Sequence, residues 1–449
     1  MKDYFQRYTP SSTLAVFRIV LGALMFFGIA RFWANGWIEE LYVLPKHFFP
    51  FYGFEFVRPL GEFTYVLFAV CAISSLLVAL GLFYRVAIVL LFTSFTYIEL
   101  IDKSTYLNHY YFISMVCLLM IFLPAHVRFS LDAWRDRTLA KALVPQWTVD
   151  AVKLLVCIVY VYAGLAKINS DWLLNAQPLR IWLPAKNDLP IVGPLFSKVW
   201  VAYVFSWMGC LYDLTIPFLL LNRSTRLFAY AGVIVFHVIT AILFPIGMFP
   251  YLMIGTALIF FSPAFHTSLL NSISKFFRFR TVSLDPGSQY TFSSVGKSFT
   301  LGVLVIFFSI QLTTPWRHVL YPDEVFWTEE GYRFSWRVML MEKAGYAEFT
   351  VKDRNGDYVK VNNSDFLTPL QEKMMASQPD MMLQYAHILR EYYKQQGFES
   401  PQVYVDSYVT VNGRLGKPLV DATTDLAQIE DTFAHKSWLL PFGNDIKGL

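Results

Sequence analysis

Long apolar runs separated by short polar connections fill the chain up to Pro315. Runs long enough to cross a bilayer, at about 20 residues per crossing, begin near Ser12, Phe63, Tyr84, Tyr106, Val149, Val199, Leu227, Gly247 and Lys297. The pattern predicts eight or nine transmembrane helices, the eighth candidate being the shortest. The first run continues from Leu14 through Trp33 without a small-residue cleavage site, so it is expected to stay as a membrane helix. After Pro315 the period changes. AEFTVKD and YVKVN flank Arg354-Asn355-Gly356-Asp357, which reads as a hairpin with an Asn-Gly turn, and VYVDSYVTVNGR repeats the strand signal. Between them MMLQYAHILREYYKQQG has helical spacing and stops at Gly397, with Pro401 beyond. The expected fold is therefore an α-helical polytopic membrane protein (residues 1–314) with a C-terminal extramembrane α+β domain (residues 315–449).

Composition agrees with this picture and narrows it. Hydrophobic residues make up 55% of the 449 positions and charged residues 16%, far from the balance of a soluble domain. The net charge of +4 is spread over loops, which argues against nucleic acid as a partner and makes the basic residues topology signals. With a cytoplasmic N-terminus, the inner loops collect Lys2, Arg7, Arg85, Arg128, Arg135, Arg137, Lys141, Arg223, Arg226, Lys275, Arg278 and Arg280. Nine crossings would then put the C-terminal domain in the periplasm or a lumen, for a protein of a bacterial inner membrane or the ER membrane. Cys71, Cys117, Cys157 and Cys210 all fall in apolar runs without CxxC or Cys/His spacing, so neither a disulfide nor a metal site is expected. HExxH, GxSxG and phosphate-loop motifs are missing, which leaves zinc hydrolysis, serine chemistry and nucleotide use without support.

Candidate chemistry comes from polar residues placed where they are costly. Lys167 ends an apolar helix in IVYVYAGLAKINSDW. Its ammonium must snorkel to the headgroups, find an anion or give up its proton, and a neutral amine is a base. Tyr160, Gly164 and Lys167 share one helical stripe, so a flat ring is expected to fit in the gap left by the glycine. The other costly residues are Arg18, Glu99, Asp102, Lys103, Asn108, His109, Asp213 and His237. The bland expectation pairs Arg18 with Glu99 and lets Asp102 and Lys103 neutralise each other. His109 and His237, neutral in such surroundings, can each donate from one ring nitrogen and accept at the other, which suits orienting a phenol or stabilising an oxyanion. The topology brings Asn108, His109 and Lys167 to the outer ends of their helices.

The runs LAVFRIVLGALMFF, LFYRVAIVLLF, LIDKSTYLNHYYF, VYAGLAKINSDW, FHVITAILFPIGMFPY and FWTEEGYRFSW, in this order, resemble the vitamin K-dependent gamma-glutamyl carboxylase family. The resemblance implies that the lysine at position 167 deprotonates vitamin K hydroquinone (reduced phylloquinone or menaquinone). The oxygenated quinone then removes a glutamate γ-proton, carbon dioxide adds to the carbanion, and the quinone leaves as its epoxide, with O2 and CO2 as co-substrates and no metal. It further implies assistance from Asn108 and His109, and a glutamate-containing protein or peptide held near Tyr332 and Trp336. Tyr160 and His237 are added as substrate-binding residues on their placement alone. Departures from the vertebrate members are Ala166 in place of a second lysine, Gly331 in place of a bulky residue, the lack of outer-face cysteines and the chain end soon after Trp438. On these grounds the quinol half-reaction is better supported than carboxylation or propeptide recognition. The alternatives are a quinol epoxidase that does not carboxylate and a non-enzymatic quinone-binding or transport protein.

Overall fold

The computed structural model describes residues 3–278, 282, 284–444 and 446–448, so Lys2 and Arg280 of the basic inner set lie outside the described residues. Ten helices build the membrane part: α1 (Ser12–Ala34), α2 (Thr64–Leu80), α3 (Tyr84–Ile101), α4 (Asn108–Ile121), α5 (Gln146–Leu165), α6 (Val199–Leu221), α7 (Arg226–Leu243), α8 (Phe249–Ala257), α9 (Pro263–Phe277) and α10 (Ser294–Thr313). Seven of the nine expected crossings are met by long apolar helices. The other two differ from expectation. The fourth, α4, has only 14 residues. The eighth breaks: α8 continues through one 3-10 turn, Leu258–Phe260, and the chain then bends by 117° into α9. Pro263 opens α9 with Ser262 as its cap, which fixes the break locally.

α9 lies along the face where α1 begins. Ser12 Oγ donates to the Pro263 carbonyl at 3.2 Å, and Thr13 Oγ1 meets His266 Nδ1 at 3.2 Å. On that same face β1 (Tyr8–Pro10) pairs antiparallel with β2 (Leu143–Pro145), and Asp132 accepts the N–H groups of Phe83 and Tyr84. Tyr290 donates its N–H to Leu143 there as well. The short helices run between this face and the opposite one. α4 starts against Arg337 of the C-terminal region and ends where Arg85 donates to the Ile121 carbonyl. α8 starts beside His109, at the outer end of α4, and leads into α9. Among the described residues seven helices are long and apolar enough to span, the bent pair α8–α9 is an eighth candidate, and α4 is a shorter apolar helix packed beside them.

Arg18 does not pair with Glu99. Fully buried, it donates instead to the carbonyls of Val78, Ala79, Ala125 and Phe129, which ties α1 to the end of α2 and to the loop after α4. Two of those carbonyls lie in the last turn of α2 and two in the loop after α4, and a guanidinium fork satisfies several buried acceptors at once.

Beyond α10 a four-stranded antiparallel sheet forms, in the order β4 (Tyr358–Lys360), β3 (Lys343–Lys352), β5 (Gln402–Val411), β6 (Lys417–Pro418). β3 and β5 pair along their full length, and Gly356 sits at φ +93° in the Asn-Gly turn. α11 (Pro369–Met375) and α12 (Pro379–Gln395) follow β4, and α12 buries Met382, Tyr385 and Leu389 against Phe349 and Val405 of the sheet. α12 ends at Gly397 (φ +100°), where the Phe398 N–H bonds the Tyr393 carbonyl. The four cysteines are unpaired.

Asp102 and Lys103 do not neutralise each other. Both are used to dock the outer domain. Lys103 Nζ lies 2.8 Å from Asp380 Oδ2 and Arg333 Nη1 lies 2.7 Å from the same oxygen, while Gln371 Nε2 donates to Asp102 Oδ2 at 2.8 Å. A third tie joins Arg414 in two bonds to Asp171, just beyond α5. Burial alone would raise the Asp380 carboxyl, but Arg333 and Lys103 outweigh it and hold the group well below the usual carboxylate range.

Two outcomes are expected. Reporter fusions at Trp134 and Gly356 should read opposite sides of the membrane; the same side for both means that one short pass does not cross. Asp380→Asn leaves two buried cations without their anion and should destabilise outer-domain docking by about 3–5 kcal/mol, measured by thermal melting or limited proteolysis. Because the folded-state value is depressed, the wild-type contribution is complete above the unfolded-state pKa of about 3.9. It is lost only as pH falls toward the depressed value, and the Asn variant should lack that acid limb.

Candidate functional site

Two cavities adjoin near the outer ends of the helices. The larger, of about 690 Å³, lies between α1, α3, α4 and α8 and is lined by Asn108, His109 and Glu99 among many apolar side chains. The smaller, of about 80 Å³, is lined by Lys167, Asp213, Tyr160 and His237. Four residues, Ile246, Phe249, Val338 and Met339, line both and form the wall between them. The Phe249 ring stands 5.8 Å from that of His109 and 5.7 Å from that of His237. Asn108, His109 and Lys167 thus share a depth and a neighbourhood but open into separate chambers.

Lys167 is turned inward by the way α5 ends. Its own N–H bonds the Gly164 carbonyl, and Asn169 then caps the short helix Ser170–Asn175, reversing the chain. The side chain cannot follow the helix axis out to water. It folds back so that Nζ donates to the Ala163 carbonyl at 3.1 Å and to Asp213 Oδ2 at 2.8 Å, with the Trp172 ring 5.2 Å away. Trp172 is held by its own Nε1–H to the Ser206 carbonyl. Of the three fates open to the ammonium, the structure shows the second: it finds an anion, and both partners are buried.

The gap at Gly164 is closed. A Cβ there would lie 2.8 Å from the Leu214 side chain, so the glycine lets α6 approach α5 and offers no slot for a ring. That approach is also what brings Asp213 to Lys167. Asp213 was one of the costly residues in the sequence, but its partner was not legible there; a lone buried acid and a lone buried base in neighbouring spans are the signal that finds the pair.

Tyr160 and His237 meet, hydroxyl to Nε2, at 3.1 Å. His237 Nδ1 is buried with no partner in the protein. Asn108 spends its amide on the protein, Nδ2 on the Arg337 carbonyl and Oδ1 on the Tyr106 hydroxyl. His109 packs its ring against Tyr110 at 4.7 Å as well as Phe249. Tyr332 and Trp336 line neither chamber. Trp336 is wedged, fully buried, against Tyr111 and Phe112 of α4, and Tyr332 packs on Phe326. Their segment still roofs the site, because Val338 and Met339 follow directly. Gly331 has a local reason: at φ +80° its missing Cβ would lie 2.7 Å from the His318 backbone.

A family profile described as HTTM domain matches residues 6–265, the part that carries most of the lining of both chambers. A second, described as vitamin K-dependent gamma-carboxylase, lumenal domain, matches residues 296–445. The chain belongs to the vitamin K-dependent gamma-carboxylase family. No solved structure matches it. Membership makes vitamin K hydroquinone the implied cofactor, and the residues fit such a group: the larger chamber falls in the range of about 300–1,000 Å³ usual for small-molecule sites, its walls are mostly apolar, and unpartnered polar atoms occur in the linings of both chambers.

Gly164→Ala tests the close approach of α5 and α6. Overpacking of this kind costs about 1–3 kcal/mol, so the melting temperature should fall and ligand binding should weaken with it. Unchanged melting with loss of binding alone would mean that a ring does occupy the gap.

Proposed function

We propose that this family member is a vitamin K hydroquinone-dependent gamma-glutamyl carboxylase-like enzyme whose general base is Lys167. The observation that carries the reading is the Lys167–Asp213 pair at 2.8 Å, set in an apolar cavity that shares a wall with a chamber of ligand size. Reduced vitamin K, with dioxygen, supplies the strongly basic species that takes a glutamate γ-proton, and carbon dioxide adds to the resulting carbanion. The protein's part is proton handling and exclusion of water. Asp213 can accept the ammonium proton along the 2.8 Å hydrogen bond, leaving a neutral amine at Nζ, and in a poorly solvated site the neutral pair competes with the charged one. The neutral amine then takes the proton of a hydroquinone hydroxyl. Ala163 and Trp172 keep Nζ in the smaller chamber, so a hydroquinone seated in the larger one has to bring its hydroxyl past the Phe249 wall to meet it.

In this reading His109 stabilises charge that develops on the ligand oxygen, and Asn108 holds the Arg337 backbone over the site while its chamber face meets the ligand. The Tyr160–His237 pair presents a hydrogen-bonding edge through His237. Glutamate arrives from the outer domain (residues 315–449), past the segment that carries Tyr332 and Trp336, and the membrane domain (residues 1–314) lies with its N-terminus in the cytoplasm. Epoxidation without carboxylation is a second reading, favoured by one observation: neither Tyr332 nor Trp336 reaches a chamber.

Lys167→Ala should abolish epoxide formation from reduced vitamin K in air, and Lys167→Arg should fail equally. Arginine keeps the charge but, with a pKa above about 12, cannot serve as base. A small amine that enters the alanine cavity should restore part of the turnover, with activity rising as pH passes that amine's pKa. Near-normal epoxidation by Lys167→Arg would reduce the lysine to a structural anchor. Assay of γ-carboxyglutamate in a glutamate peptide, run beside the epoxide assay, separates the two readings.

A further inference from the structure

The larger chamber holds a buried acid that the Lys167 chemistry does not use. Glu99, near the outer end of α3, is 4% exposed and lines this chamber. Its Oε2 accepts from Ser114 Oγ at 2.7 Å, and Ser114 Oγ accepts in turn from Thr96 Oγ1 at 3.1 Å. Its Oε1 is buried and has no partner in the protein. Among the described residues Glu99 joins no ion pair. Arg18, its expected partner, is saturated by carbonyls, and Arg31, on the same chamber wall, stacks over Trp37 at 5.0 Å. The surrounding wall is apolar, with Leu24, Ile29, Phe68, Phe95 and Leu252.

A buried carboxyl oxygen without a donor, in a cavity otherwise suited to a lipid, calls for a ligand that is apolar and brings an O–H group. We infer that the larger chamber takes the lipid quinol through an O–H···Oε1 bond to Glu99, and that Glu99 is the residue that selects the reduced form over the oxidised one. The identity of the ligand rests on the function proposed above; the selection rests on Glu99. A hydroquinone offers hydroxyl donors. A quinone offers only carbonyl acceptors, so against the ionised Glu99 carboxylate the same pose sets acceptor against acceptor and leaves Oε1 without a bond; a protonated Oε1–H would donate to a quinone carbonyl, so the selection belongs to the ionised form. Because Ser114 already occupies Oε2, the discrimination falls on the single free oxygen. Hydrogen bonds to charged groups set its size at about 10–100-fold in affinity. Such selection admits the species that can be deprotonated and releases the oxidised one, which bears no hydroxyl proton for Lys167 to take.

The test uses the full-length protein in nanodiscs under anaerobic conditions with three ligands: reduced phylloquinone, phylloquinone, and the 1,4-dimethyl ether of the reduced form, a near-isostere without donors. Binding is read from quenching of tryptophan fluorescence, since Trp37 lines the chamber. The wild type should bind the reduced form about 10–100-fold tighter than the other two. Glu99→Gln, which keeps the shape but adds an amide donor, should lose most of that preference by gaining affinity for the quinone. Glu99→Leu should bind the reduced form and the ether alike. Equal wild-type affinity for all three ligands overturns the inference without any variant, as does a wild-type preference that survives Glu99→Leu. Epoxide formation by the same preparation separates the two readings: activity with no redox preference sinks only the role of Glu99, whereas no binding and no epoxide sinks the proposed function with it.

Discussion

The packing of α5 against α6 beside the site turns on one ion pair. Lys167 and Asp213 sit on neighbouring helices with their charges out of water, and neither has an alternative anion or cation within reach among the described residues. Removing either partner alone leaves a buried charge, at a cost of about 3–5 kcal/mol. The pair therefore constrains how closely α5 and α6 pack, and Gly164 is the position that makes the distance possible. The same pairing that stabilises the ammonium gives its proton somewhere to go, so the structural and chemical roles of Lys167 coincide.

Two short helices adjoin the site. α4 packs on α3, and α8 packs on α1 and α7, with most of both short helices buried. The chambers lie at the ends of α4 and α8 that face the C-terminal domain, roofed by Val338 and Met339. The roof is held by polar contacts that reach into the membrane part: Asn108 to Arg337, Asp102 to Gln371, Lys103 to Asp380 and Asp171 to Arg414. Such contacts are buried and directional, which suits a lid whose height over the ligand must be fixed to within a side chain.

Intramembrane polar residues sort by what they face. Arg18 faces backbone carbonyls of the last turn of α2 and of the loop after α4 and is structural. Lys167, Asp213, His109, His237 and Glu99 face the chambers. Of these, only the first two are paired with each other; Glu99 Oε1 and His237 Nδ1 keep unpartnered atoms, which is where ligand chemistry has to be sought.

The sequence by itself determined the class of fold and the cast of residues. Apolar runs of spanning length and the switch to strand periodicity after Pro315 are local properties, and hydrocarbon forces the backbone of each run into a helix whatever its neighbours do. Asn-Gly and Gly-Pro signals likewise fixed the hairpin and the end of α12, because turn geometry is set within a few residues. Lys167 stood out for the same reason: the cost of burying an ammonium is a property of the residue and its run. What only the tertiary structure decided is who meets whom. Pairing Asp102 with Lys103 and a ring with Gly164 rested on proximity in sequence or on a single helix, and pairing Arg18 with Glu99 on opposite charge alone. Partners such as Asp213 for Lys167 and Asp380 for Lys103 lie 46 and 277 positions away. Helix rotation and depth select those partners, and they are set by packing between elements, which no one-dimensional period encodes.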